Sequence, residues 1–161
     1  WSEHRYLEAP WLANSRAGGF LREVGSHYVY FARRLLGAIT LHSAHVGGRD
    51  NISAEHFAHV LLHAGDIPIT ITGSTSSGKP DANVCIVHSE RATYRIRNFH
   101  WLDIVGASGW SPAYPAPENP ERETHLRQLD NVKRLLAGDE KAAASFSDAL
   151  AVQRHVEAML A

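Results

Sequence analysis

Residues 18–37, GGFLREVGSHYVYFARRLLG, open on a glycine pair and close on a single glycine. Between them Phe20, Val24, Tyr28, Phe31 and Leu35 recur at spacings of four, four, three and four, which is the helical period. The spacing predicts a helix from Gly19 to Leu36 with these five residues on its buried side, and Gly37 supplies the stop. Glu23, His27, Tyr30 and Arg34 follow the same spacing one position earlier. The helix therefore carries an ordered polar stripe beside its apolar one, and that stripe is the first place to look for chemistry.

Beyond Gly37 the period changes to two. Ala38 to Val46 alternates weakly, while Ile67, Ile69 and Ile71 alternate cleanly with Pro68, Thr70 and Thr72. Asn83 to His88 and Thr93 to Phe99 continue the alternation, joined by a hairpin at Ser89-Glu90-Arg91. Half-polar strands of this kind, one with Pro68 inside it, favour an antiparallel sheet with one packed face and one open face. Residues 110–120 hold four of the seven prolines and read as an extended excursion. A helix follows, with Asn119 as N-cap, Pro120 in the first turn, Leu126, Leu129, Val132 and Leu136 as its apolar face, and Gly138 as its stop. A last helix starts near Ser147-Asp148 and carries Ala149, Val152, Val156 and Met159 on one side. Helix, strands and two helices in that order make one α+β domain over residues 1–161: a mostly antiparallel, open-faced sheet covered on one side by helices.

Composition narrows the function. Of 161 residues 44% are hydrophobic and 20% charged, which suits one globular core. Sixteen Lys and Arg against 17 Asp and Glu leave a net charge of -1, without the cationic excess that phosphate backbones call for, so nucleic acid is not an expected partner. No stretch approaches a membrane span, and Cys85, the single cysteine, reads as a small core residue, so a cytoplasmic protein is the expectation. The first residue is Trp1 and no signal-peptide pattern follows it, which predicts that the chain is a piece of something longer.

Three chemical signals fail on their own residues. Gly73-Ser74-Thr75-Ser76-Ser77-Gly78-Lys79-Pro80 approaches a phosphate-binding loop, but Pro80 stands where the Mg²⁺-binding hydroxyl belongs, and a strand pattern follows where a helix is needed. It reads as a glycine-serine hairpin loop. No G-x-G-x-x-G occurs, and Gly106-Ala107-Ser108-Gly109 lacks the spacing of a nucleophile elbow. Among 11 histidines, His56, His59 and His63 would share a helix face, with His42 and His45 nearby. In a strand, His56 would point away from His59 and His63; the apolar run from Phe57 to Leu62 and the Gly65-Asp66 turn favour the strand, so no metal site is expected.

Gly18-Gly19-Phe20-Leu21-Arg22-Glu23-Val24-Gly25-Ser26-His27 resembles the signature that opens the C-terminal domain of the Gfo/Idh/MocA oxidoreductases. Arg16 just before the glycines, the exit at Leu35-Leu36-Gly37, the run from Ala54-Glu55-His56-Phe57 to Gly65 and the end from Phe146 to Leu160 resemble that domain in the same order. The resemblance implies the second half of a two-domain NAD(P)-dependent dehydrogenase, with an N-terminal Rossmann domain that is absent from these residues. Its implied role is substrate binding and oligomerisation, as a homodimer or homotetramer through the open sheet face. The substrate would be a small molecule: a sugar, polyol or related hydroxy compound.

Removing a hydride from an alcohol requires a base for the hydroxyl proton, and histidine suits that task at neutral pH. Glu23 and His27, i and i+4 on one helix, occupy the positions of the family's Asp-x-x-x-His pair. The resemblance thus makes His27 the general acid/base and Glu23 its assistant. Arg16, able to hold a hydroxyl or carboxylate, and Trp11, able to stack on a sugar face, are the candidate substrate contacts, and His100 and Trp101 are further pocket-lining candidates. NAD or NADP would be bound mainly by the absent domain, so the 161-residue chain alone is expected to be inactive. Two positions depart from the pattern: Glu23 replaces an aspartate, and Tyr30 stands where a second aspartate is often found. They motivate a second reading, a non-catalytic ligand-binding or interaction module with the same fold. A histidine-metal hydrolase built on His56, His59 and His63 is a third.

Overall fold

A computed structural model describes residues 9–48, 50–75, 82–115 and 117–161. The chain divides into two compact units, Trp1–Pro80 with Ser145–Ala161, and Asp81–Ala144. Both are built from antiparallel strands and helices, the α+β class that the periodicities predict.

The first unit contains a 3₁₀ turn at Pro10–Ala13, a π-helical turn at Leu21–Gly25, helix α1 (Ser26–Leu36), and strands β1 (Thr40–Gly47), β2 (Phe57–Ala64) and β3 (Ile67–Ser74). The helix Phe146–Leu160 at the end of the chain completes it. The strands form an antiparallel meander in the order β1-β2-β3. Strand β2 decides which way the sheet faces. Ala58, Val60, Leu62 and Ala64 are buried and pack with Leu21, Val29, Ile39, Val152, Val156 and Met159, whereas Phe57 and His59 on the alternate positions are exposed. A two-residue connection, Gly65-Asp66, joins β2 to β3, and Gly65 takes the positive φ of 59° that glycine accepts without a Cβ clash.

The first helix departs from expectation in its phase. Phe20 is buried as predicted, but from there the buried residues are Leu21, Gly25, Val29 and Ala32, while Leu35 is 52% exposed and Phe31 is only half-buried. The buried stripe keeps the helical spacing but runs one position later than the predicted one. Tyr30, predicted for the polar stripe, packs against the core. The π-helical turn at Leu21–Gly25 is the local reason, because an extra residue in one turn rotates everything after it relative to a regular helix.

The second unit is a four-stranded antiparallel meander, β4 (Val84–His88), β5 (Thr93–Arg97), β6 (Trp101–Gly106) and β7 (Gly109–Pro112), followed by helix α2 (Pro120–Leu136). The final helix of the first unit, Phe146–Leu160, is therefore α3. The hairpin expected at residues 89–91 is present, closed by Ser89 and Ala92. Asn119 caps α2 as predicted, its Oδ1 accepting from the Arg122 N–H at 2.9 Å. The predicted apolar face of α2 is not buried: Leu126, Leu129, Val132 and Leu136 are 45–83% exposed, and the helix has no buried residue. The periodicity was right for a helix, but no layer within the unit covers that side. In α3 the cap is a reciprocal Ser145–Asp148 pair; Val152, Val156, Met159 and Leu160 are buried and Ala149 is exposed.

Most of the phosphate-loop-like segment, residues 76–80, lies outside the described residues, as does Trp1. Cys85 is half-buried in β4, and that burial pushes its thiol pKa up. Among the described residues no helix is long and apolar enough to cross a membrane.

Candidate functional site: the glycine-pair turn and the helix it opens

Close approach dictates the glycine pair. Gly18 N–H donates to Asn14 O at 2.8 Å and Gly19 N–H to Leu12 O at 2.9 Å, which folds the chain back on itself. A Cβ on Gly18 would lie 2.1 Å from Leu12 O, and a Cβ on Gly19, whose φ is 104°, would lie 2.3 Å from Glu55 Oε2. No side chain fits either place.

Three charged groups lock the turn. Glu55 is 2% exposed and accepts from the Leu21 N–H at 2.8 Å through Oε1, placing a carboxylate at the positive start of the helix. Its other oxygen, Oε2, is buried with no hydrogen-bond partner among the described residues. Arg22 grips the turn from its own side: Nη1 donates to Ser15 O at 3.0 Å and Gly18 O at 2.8 Å. Its Nε and Nη2 hold Glu157 of α3 in a two-pronged pair at 2.7 and 2.9 Å, and this pairing raises the Arg22 pKa. The turn is thus tied to α3 and to the segment before β2.

Onto this support the chain places the predicted residues. Glu23 sits half-buried in the π-helical turn, its N–H donating to Gly19 O at 3.0 Å. His27, exposed, is in the first turn of α1. Single-turn π-helical distortions are frequent at functional sites, where they re-aim the side chains they carry. Arg16 is exposed in the loop just before the glycines, its N–H held by Asn14 Oδ1 at 2.8 Å. Trp11 is 52% exposed in the 3₁₀ turn.

A concavity of about 770 Å³ borders Arg16, together with Ser15, His45, Asp50 and Asn51. It takes in Arg16 but not Glu23, His27 or Trp11. Asp50 accepts from the N–H groups of Ser53 and Ile52 at 2.6 and 2.7 Å, which lowers its carboxyl pKa. His100 and Trp101 belong to the second unit, at the β5–β6 corner.

Sequence reasoning missed Glu55 and the Arg22–Glu157 pair. The pair spans 135 residues, and no local period reports it. The run of glycines is a partial signal for Glu55, because a glycine with positive φ marks something lying close against the backbone. Four of the histidines fall on β1 and β2, where His42 and His63 stack with ring centroids 5.0 Å apart and His45 pairs in register with His59. His56 precedes the strand, so the helical cluster dissolves. Among the described residues no group of three or more His, Cys, Asp or Glu side chains is placed to hold a metal ion.

Residues 1–95 match the family described as the GFO/IDH/MocA C-terminal domain. No curated protein matches the chain. Among solved structures, an oxidoreductase from Agrobacterium radiobacter, crystallised in complex with NAD+, L-tartaric acid and magnesium, has a similar fold, with a TM-score of 0.68 at 23% identity. The match covers 96% of the present chain and 49% of the oxidoreductase, so the chain spans about half the length of that solved protein.

Proposed function

Since the chain belongs to the Gfo/Idh/MocA C-terminal domain family, we propose that it is the substrate-binding and oligomerising domain of an NAD(P)-dependent dehydrogenase whose Rossmann domain lies elsewhere in the parent protein. The observation that carries this reading is the glycine-pair turn, locked by Glu55 and Arg22, which opens the helix bearing Glu23 and His27. In the sheets of the described residues every strand pairing is antiparallel. Among the described residues there is therefore no parallel strand of the kind that leads into a pyrophosphate-cradling glycine turn. This chain's share of the chemistry is substrate placement and proton handling.

The nicotinamide, bound by the other domain, would supply the hydride acceptor. On this chain, His27 takes the hydroxyl proton of the substrate at an imidazole nitrogen and returns it in the reverse direction. Glu23, one helical turn earlier, orients that ring. Arg16 meets a hydroxyl or carboxylate of the substrate, and Trp11 offers a flat face to its carbon skeleton. The substrate is a small sugar, polyol or hydroxy compound; the tartaric acid in the Agrobacterium radiobacter structure is itself a hydroxy compound. A cytoplasmic homodimer or homotetramer forms through the outer face of β1–β3, which displays His59 and Phe57 rather than a helical cover.

His27→Ala in the full-length parent tests the assignment. Loss of a positioned acid/base is expected to lower kcat by about 10²–10⁴ with a smaller change in KM. An unchanged rate removes His27 from catalysis. If the parent has no dehydrogenase activity at all, the second reading stands, a ligand-binding module; it is favoured by Glu23 in place of aspartate and by Tyr30 lying against the core rather than in a site. By calorimetry, the 161-residue chain alone is expected to show no NAD(P) binding, and micromolar affinity would overturn the division of labour.

A further inference from the structure

The sheet of the first unit is unusual in its charge. Strands β1, β2 and β3, eight residues each, contain no Asp, Glu, Lys or Arg, and the only side chains in them that titrate near neutral pH are His42, His45, His59 and His63. All four lie on one side. Ala58, Val60, Leu62 and Ala64 point into the core, so the alternate residues of β2, Phe57, His59, Leu61 and His63, point outward. His45 stands directly opposite His59 in the ladder and faces the same way. Strand β1 is bulged between Leu41 and Ser43, which leaves His42 as the extra residue, and its ring stacks on that of His63 with centroids 5.0 Å apart and planes 25° apart.

The rest of this face is neutral as well. Strand β3 sets Pro68, Thr70, Thr72 and Ser74 opposite His63, Leu61, His59 and Phe57. Helix α3 and the helix opened by the glycine pair pack on the other side of the sheet, against the inward residues of β2. The charged and titratable groups nearest in the chain sit at the ends of the strands: Asp66 in the β2–β3 turn, and Asp50 and His56 in the β1–β2 connection. Arg16 borders the concavity that His45 also borders, at the β1 edge.

With its imidazoles neutral, the face suits a second copy of itself. A two-fold interface brings the same surface to both sides, so any net charge on it opposes itself, and this sheet has none to oppose. Phe57, 41% exposed, and Leu61 give the central strand an apolar middle, and the polar atoms around them are partly satisfied within the sheet, His59 Nδ1 lying 3.2 Å from Thr72 Oγ1. Protonation reverses the balance. His42 and His63 would carry like charges ring against ring, and His45 and His59 like charges directly opposite in a strand pair, an arrangement that destabilises. A lone sheet can leave such charges hydrated. Two sheets packed face to face cannot, and each unpaired charge taken out of water there opposes the contact.

Resting on the reading that copies of the chain assemble through this face, we propose that His42, His45, His59 and His63 make the assembly proton-dependent: the outer face of β1–β3 joins a second copy while the imidazoles are neutral and releases it as they gain protons. The sign follows from linkage. The assembled state, which excludes charge from the face, binds fewer protons than two free copies, so association weakens as pH falls through the range in which histidine titrates.

The test is analytical sedimentation of the full chain from about pH 7.5 to about pH 5.5 at constant ionic strength, with circular dichroism at each pH to follow the fold. The dissociation constant of the dimer is expected to rise roughly tenfold or more over that range. His45→Gln combined with His59→Gln, neutral throughout, should lose about half of the response on a logarithmic scale, and His42→Gln combined with His63→Gln, the independent second pair, should lose the remainder. His125→Gln, exposed on α2, should keep all of it. A dissociation constant that does not move with pH, a response that survives both double substitutions, or one that coincides with loss of the fold overturns the switch and leaves the assembly reading standing. A chain that is monomeric at pH 7.5 at sub-millimolar concentration, or a Phe57→Asp variant that assembles as the parent does, overturns assembly through this face and the switch with it.

Discussion

In the first unit the inward residues of β2, Ala58, Val60, Leu62 and Ala64, are all 7% exposed or less, and α1 and α3 supply the residues that bury them. In the second unit the strands alternate just as regularly, yet among its described residues the one buried to that extent is a carboxylate, Asp103. It is held by Arg95 Nε at 2.9 Å and by Arg97 Nε and Nη2 at 2.7 and 3.1 Å, and Arg95 lies 4.4 Å over the Trp110 ring. The same meander is thus organised in two ways, by an apolar layer in one unit and by an ionic cluster in the other. Alternation along a strand says that a face can be covered. Whether it is covered depends on which helix packs on it.

The contrast predicts mutational effects of very different size. The largest should come from Gly18→Ala in the first unit, because the new Cβ would meet the Leu12 carbonyl at 2.1 Å and a backbone group cannot rotate away. A loss of roughly 3 kcal/mol or more is expected, a large part of the stability of a domain this size, measured by denaturant unfolding. Leu62→Ala comes next. It empties a fully buried position and should cost about 2–5 kcal/mol, with the cavity term deciding the value. A cost below about 1 kcal/mol would mean that the first unit is no better packed than the second, and the comparison would fail.

Asp103 sharpens the comparison through pH. Its two arginine partners, Arg97 first, hold its carboxyl down to about 2 against an ordinary value of 3.8. A carboxylate whose pKa is lower in the folded state stabilises the fold above its unfolded value and loses that contribution as pH falls toward the folded one. The second unit should therefore loosen between about pH 4 and pH 2, followed by the fluorescence of Trp110 under its arginine. Asp103→Asn should start less stable at neutral pH and lose the acid transition in that window. If the variant and the parent show the same acid profile, the ionic cluster does not organise the unit.

What the amino-acid pattern disclosed divides along the line between local and distant causes. Asn119 and Pro120 announce the start of α2, and the alternation of Ile67, Ile69 and Ile71 announces β3, because each signal is carried by neighbours in the chain. The buried stripe of the first helix runs one position later than regular helical spacing from Phe20 predicts, since the apolar pattern does not announce the extra residue of the π-helical turn. The pairing of Arg22 with Glu157 and the seating of Glu55 under Gly19 join residues far apart in sequence, and only the folded chain brings them together. His27 and Glu23 stand out as candidates through the likeness of their decapeptide to a family signature. Helical spacing alone would put them on one face and say nothing of a substrate.

The smallest effect expected is also the one that most directly tests the second unit. Leu129 lies in the middle of α2 and is 60% exposed, with Leu126 and Val132 beside it at 45% and 47%. Truncating it to alanine removes little contact, and alanine is at least as good a helix former, so Leu129→Ala should change the unfolding free energy of the chain by no more than about 0.5 kcal/mol. Leucine, valine and leucine in a row on an exposed helix face are costly to leave in water, at about 25 cal/mol per Å² of apolar area, and single exposed leucines elsewhere in a protein need no such account. A measured cost above about 1 kcal/mol would show that this face is covered in solution. The second unit would then owe its order to a cover after all, and the difference between the two units would be one of where the covering layer comes from.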